Sequence, residues 1–126
     1  MQNGYLTEEL FVVECLKRNI PVSRPIFNVE SYDFIVEINN VFISVQVKKS
    51  YIEGDRRRAC LKSSYVRSDI RKYVSESNSV DFLAVYDEEC DDWYIIPKSI
   101  IPKCSIQISR EGKYAKYIEN FIFSNN

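Results

Sequence analysis

Asp33, Gln46 and Lys48 are the residues of this chain whose types and spacing point most directly to chemistry. A hard cation such as Mg²⁺ takes oxygen ligands, often only one or two carboxylates beside several waters. Asp33 supplies a carboxylate and Gln46 an amide oxygen, and the backbone carbonyl of Val47 lies between Gln46 and Lys48 to join them. Mn²⁺ is the alternative ion for the same ligands. Lys48 brings an ammonium that can orient a water and offset negative charge in a transition state. Together these groups meet the needs of phosphodiester hydrolysis: a polarising metal, a positioned water and charge compensation. A second acid is available upstream, where Glu8 or Glu9 stands at the start of an apolar run. Glu8 shares a helical face with Phe11, Val12 and Cys15, and Glu9 shares one with Val12, Val13 and Leu16.

For the three residues to meet, the stretch from Ser31 to Ser50 must be a β-hairpin. Asn39-Asn40 is its turn, because both residues tolerate the positive φ that a two-residue loop demands. Ile38 then opposes Val41, and Asp33 opposes Gln46. Opposed residues project to one side of a sheet, as do residues two apart along a strand. Asp33, Gln46 and Lys48 therefore share a face. Phe34, Val36, Ile38, Val41, Ile43, Val45 and Val47 make the other face wholly apolar, a wall of the core.

The 126 residues suffice for one domain with a real core, here taken as residues 1–126. Apolar content of 45% and charged content of 28% belong to a folded globular chain. No apolar run reaches the roughly 20 residues of a membrane helix, and the amino terminus lacks the basic start and apolar stretch of a signal peptide. No membrane partner and a cytoplasmic location are expected. The absence of histidine excludes Ser-His and Cys-His catalysis, and the four scattered cysteines form no zinc pattern. Reduced, partly buried thiols are expected.

Net charge is −1, yet its distribution is uneven. Between Lys48 and Lys72 stand nine basic residues (Lys48, Lys49, Arg56, Arg57, Arg58, Lys62, Arg67, Arg71 and Lys72) against three acids. Such a block can hold the phosphates of double-stranded DNA and position the duplex without reading its sequence. From Asp81 to Pro97 there are six acids and no base.

The other elements follow in order. A helix is expected from about Thr7 to Arg18, with Thr7 as N-cap and Glu8 and Glu9 in the first turn. Pro21 and Pro25 bracket an edge strand or irregular arm. A third strand is expected over Arg56 to Lys62, a helix over Asp69 to Val74, and a hairpin formed by Val80–Tyr86 and Trp93–Ile96. Ser99 to Ile101 reads as a helical turn and Ser105 to Ile108 as a last short strand. Tyr114, Tyr117, Ile118 and Phe121 carry the spacing of an amphipathic helix. The fold class is α/β, a mixed central sheet flanked by helices in the order α-β-β-β-α-β-β-α.

Asp33 followed by Gln46-Val47-Lys48 after a hairpin, with a glutamate-bearing helix ahead, resembles the PD-(D/E)XK nuclease motif, with Gln in place of the second acid. Tyr32-Asp33 before an apolar strand, the Gln-Val-Lys triplet and the later hairpin from Val80 to Pro97 are most similar to group I intron homing endonucleases of that fold. The resemblance implies a restriction-endonuclease-like core, Mg²⁺-dependent DNA cleavage and a homo-oligomer. It favours Glu8 over Glu9 as the helix acid, ligating directly or through water. The implied catalytic set is Glu8, Asp33, Gln46 and Lys48. Double-strand cleavage needs two active sites, so a dimer or tetramer is expected. Two other readings share these residues: a Holliday junction resolvase or repair nuclease, and a catalytically inactive member that binds DNA or protein.

Overall fold

The computed structural model describes residues 4–27, 32–60, 80–102 and 105–126. Helix α1 (Gly4–Lys17) is followed by strands β1 (Val22–Ser23), β2 (Phe34–Ile38), β3 (Val41–Lys49), β4 (Tyr51–Glu53), β5 (Arg56–Cys60), β6 (Phe82–Asp87), β7 (Asp92–Pro97) and β8 (Ser105–Ile108). Short 3-10 turns occupy Lys98–Ile100 and Ala115–Tyr117. The helix expected over Asp69 to Val74 lies outside the described residues, as does Cys104. No described helix is long and apolar enough to cross a membrane.

Five strands form the central sheet in the order β1-β2-β3-β6-β7, and β4-β5-β8 form a second sheet. Only the β3–β6 pairing is parallel; every other described pair is antiparallel. The β2–β3 hairpin turns on Asn39 and Asn40 at φ 51° and 67°, both left-handed, as a two-residue turn matched to strand twist requires. Its register pairs Ile38 with Val41 and Phe34 with Val45.

That register sends Phe34, Val36, Val45 and Val47 into a core shared with Phe11 and Cys15 of α1, Phe82 and Ala84 of β6, and Trp93 and Ile95 of β7. Phe11 is its hub, with ring centroids 5.4 Å from Phe34, 5.6 Å from Trp93 and 6.2 Å from Phe121. The opposite side of the sheet makes a second core. There Leu83, Val85, Tyr94 and Ile96 pack against Ala59, Ile106 and Ile108 of the second sheet. The continuous apolar runs of β6 and β7 follow from burial on both faces.

Three expectations are corrected. The helix begins at Gly4, so Thr7 is a buried interior residue in line with Phe11 and Cys15, and Glu8 and Glu9 are past the first turn. The strand at Arg56 joins β4 and β8 in the separate sheet. Ser50 turns the corner between the sheets: its N–H and Oγ both donate to the Tyr86 carbonyl, at 3.0 and 2.7 Å. The C-terminal amphipathic spacing builds no α-helix. Tyr114 and Tyr117 pack in the second core and Phe121 in the first, so this segment wraps the β7 edge. One helix face cannot serve two opposite cores. Glu119 at φ 58° breaks the spiral, its N–H donates to the Trp93 carbonyl at 2.6 Å, and Ile118 bridges Tyr94.

Candidate active site

The site gathers at the end of the β2–β3 hairpin away from its turn. Asp33 immediately precedes β2, and its N–H donates to the Val45 carbonyl at 2.9 Å, which continues the hairpin ladder. The Asp33 Oδ2 accepts two hydrogen bonds, from the Val47 N–H at 2.8 Å and from Gln46 Nε2 at 3.1 Å. The donation by Nε2 turns the Gln46 amide oxygen away from the carboxylate it would otherwise repel. Lys48, two residues along β3, lies on the same face as Gln46 and within electrostatic reach of Asp33.

Glu8 completes the group from α1. It is half-buried beside the Thr7–Phe11–Cys15 stripe, close enough to Asp33 for that residue's charge to act on it. Glu9 points elsewhere: it is exposed and pairs with Arg24 at 2.8 Å. Helix phase thus separates the two candidates, with Glu8 turned toward Asp33 and Glu9 toward the surface.

Burial dominates the electrostatics. It raises the pKa of Asp33, against the lowering effects of the Val47 N–H, Lys48 and Arg24. It also raises that of Glu8, the charge of Asp33 adding to the effect. Desolvation lowers the pKa of Lys48, while Asp33 and Cys60 pull it back up. Two partly desolvated carboxylates with an ammonium alongside are a set of charges that a divalent cation would stabilise in ionised form. The donor set is oxygen-rich, as hard cations require.

A family model for PD-(D/E)XK endonuclease matches residues 1–121. The chain belongs to the PD-(D/E)XK endonuclease family. It is accordingly a nuclease, and nucleases of this family generally use divalent metals. Among solved structures, a bacterial homing endonuclease, I-Ssp6803I, is similar at 21% sequence identity with a TM-score of 0.72. The match covers 94% of this chain and 85% of that one, and the likeness places the fold. A search of curated proteins returned no significant match.

The remaining basic residues fare differently. Arg57 has only 9% of its side chain exposed and pairs with Asp87 at 3.1 Å and Glu89 at 2.6 Å, so it ties the second sheet to the β6–β7 turn. Its Nη1 also donates to Ser50 Oγ at 2.9 Å. Arg58 pairs with Glu53 at 3.0 Å and Lys49 with Glu88 at 2.6 Å. Arg56 is exposed, near Asp55 at 3.9 Å. Lys62, Arg67, Arg71 and Lys72 lie outside the described residues.

Asp87, Cys90 and Asp92 also bring ligand atoms within 4.8 Å of one another. Their carboxylates already have cationic partners, Asp87 in Arg57 and Asp92 in a two-point contact with Arg110 at 2.8 and 3.1 Å. Asp87 Oδ1 further accepts the Glu89 N–H at 3.0 Å, which shapes the turn. This group explains itself as a structural ion-pair network. Of the cysteines, Cys15 is buried and its thiol is pushed up to about 12 by desolvation, whereas Cys60 and Cys90 are exposed.

Sequence patterns missed Arg24. Its guanidinium stacks over the Phe34 ring at 5.0 Å while its Nη2 holds Glu9. Both contacts are long-range, and a Ser-Arg-Pro stretch between strands carries no periodic signal.

Proposed function

We propose that this nuclease is a Mg²⁺-dependent DNA endonuclease that makes site-specific double-strand breaks of the homing type. The observation that carries the proposal is the convergence of Asp33, Gln46 and Lys48 on one side of the hairpin, with Gln46 and the Val47 N–H both fastened to Asp33. Asp33, the Gln46 amide oxygen and the Val47 carbonyl would hold the ion, with Glu8 joining directly or through water. When bound, Mg²⁺ supplies Lewis-acid polarisation of the phosphate and lowers the pKa of bound water. Lys48 orients the attacking water and offsets the charge that grows on the phosphate oxygens. The Val47 N–H fixes the Asp33 carboxylate, while the Gln46 amide, whose Nε2 donates to Asp33 in the metal-free protein, would rotate to present its oxygen to the ion.

Outside the centre, Lys49, Arg56 and Arg58 are half-buried or exposed, and their charge would serve contacts to the DNA backbone. Arg57 serves the fold through Asp87. Lys62, Arg67, Arg71 and Lys72 extend the basic block in sequence. Cutting both strands calls for two such centres, supplied by a homo-oligomer, a dimer or tetramer. The experiment is incubation of purified protein with supercoiled plasmid and with a four-way junction, each with and without Mg²⁺. Mg²⁺-dependent linear product from one plasmid locus is expected. Cutting confined to the junction, irrespective of sequence, would replace the homing reading with a resolvase, and DNA binding without cleavage would make the chain a silent member.

A further inference from the structure

Arg24 touches the immediate sequence neighbour of each site acid. Its Nη2 is 2.8 Å from Oε2 of Glu9, next to Glu8, and its guanidinium lies over the ring of Phe34, next to Asp33. The register explains the second contact. β1 pairs Val22 with Val36 and Ser23 with Ile35, so the next residue, Arg24, comes level with Phe34. The side chain is anchored at two points and still half in solvent, 50% exposed. An ion pair and a cation–π contact bias the guanidinium toward this position, and Arg is suited to two-point phosphate recognition. The chain then leaves the sheet. Pro25 fixes its own φ, and Ile26 and Phe27 stand 99% and 84% exposed. Two adjacent large apolar side chains are thus left in solvent two and three residues past Arg24, the kind of exposed apolar surface a partner covers.

We propose that residues 24–27 form a DNA-contacting arm at the rim of the active site. Arg24 binds a backbone phosphate next to the scissile one, and Ile26 and Phe27 lie against the minor groove, where apolar wedges find purchase between base steps. Arg24 lies within electrostatic reach of both site acids with half its side chain still in solvent, so a phosphate next to the one held at those acids comes within its reach, and DNA is the occupant the nuclease reading brings there. The inference rests on the nuclease reading and names a positioning element for it.

The test uses the full-length protein and a duplex it cleaves, comparing wild type with Arg24→Gln, Arg24→Lys and the double variant Ile26→Ser/Phe27→Ser. Equilibrium binding in Ca²⁺ across a salt series and steady-state cleavage in Mg²⁺ are the readouts. Arg24→Gln should raise Kd and KM about tenfold, the size of one charged hydrogen bond, and reduce the salt slope by about one. Arg24→Lys should restore the slope. The Ile26→Ser/Phe27→Ser variant should weaken binding with the slope unchanged, and kcat should fall less than KM rises. An unchanged KM and slope in Arg24→Gln, with wild type active, would overturn the arm and leave the nuclease reading intact. Variants that alter the sedimenting mass but not DNA affinity per protomer would overturn it in favour of a self-interface. A wild type that neither binds nor cuts DNA would overturn both readings.

Discussion

At the scale of single residues, the site is defined by acids held where ionisation is unfavourable. Burial raises the pKa of Asp33 and Glu8, and for Glu8 the charge of Asp33 adds to it. The sign of the linkage follows. Groups whose folded pKa is raised contribute stability that is fully present below their unfolded values, and lose it as pH rises through the folded ones. In the metal-free protein at neutral pH the two carboxylates therefore weaken the fold. Asp33→Asn should melt at a higher temperature than wild type at pH 7, with the gap closing as pH falls toward about 4, where carboxylates protonate. Mg²⁺ should raise the melting temperature of wild type and leave Asp33→Asn unmoved, a pairing that calorimetry checks directly. Cleavage by wild type should increase with pH as the two acids ionise. An Asp33→Asn protein less stable than wild type at neutral pH would mean that the Val47 and Gln46 hydrogen bonds outweigh desolvation.

At the scale of elements, the hairpin and the second sheet do separate work. The Asn39–Asn40 turn sets the register, and both residues sit at left-handed φ. Asn40→Ala places a Cβ residue there without a side chain that can bond locally, at a cost of about 1 kcal/mol in urea unfolding. Arg57 is the other element-level hinge. Arg57→Ala strands Asp87, which is buried, and should cost about 3 kcal/mol, the lower end for a broken buried pair because turn N–H groups still reach Asp87. The hairpin was legible in the sequence because its determinants are local: a turn dipeptide flanked by strands with one wholly apolar face. The placement of Asp33, Gln46 and Lys48 on one face was legible with it, since one register decides all three. The helix start was not, because Thr7 is a good N-cap by type but is drawn into the core stripe by Phe11 and Cys15. The C-terminal segment misled for a related reason. Its spacing of aromatic residues is helical, yet the two sides of the central sheet claim them separately. Arg24 was invisible because its partners, Glu9 and Phe34, are joined to it only by tertiary structure.

At the scale of the whole molecule, the central sheet is covered on one side by α1 and on the other by the three-stranded sheet, and the candidate site residues come from α1 and the hairpin end. A single copy offers one such centre. Sedimentation velocity should therefore show a dimer or tetramer at the concentrations where double-strand breaks are made, and nicking alone where the protein dissociates. A monomer that linearises plasmid in one encounter would contradict that arrangement. The measurement closest to the chemistry is the Mg²⁺-dependent cleavage rate of wild type beside Lys48→Ala, on the same DNA and at saturating protein. Loss of the ammonium at Lys48 should lower the rate about 10²- to 10³-fold with DNA affinity nearly unchanged, the size of one lost transition-state stabiliser. Equal rates for the two proteins, or cleavage that persists in excess chelator, would place the reaction centre elsewhere.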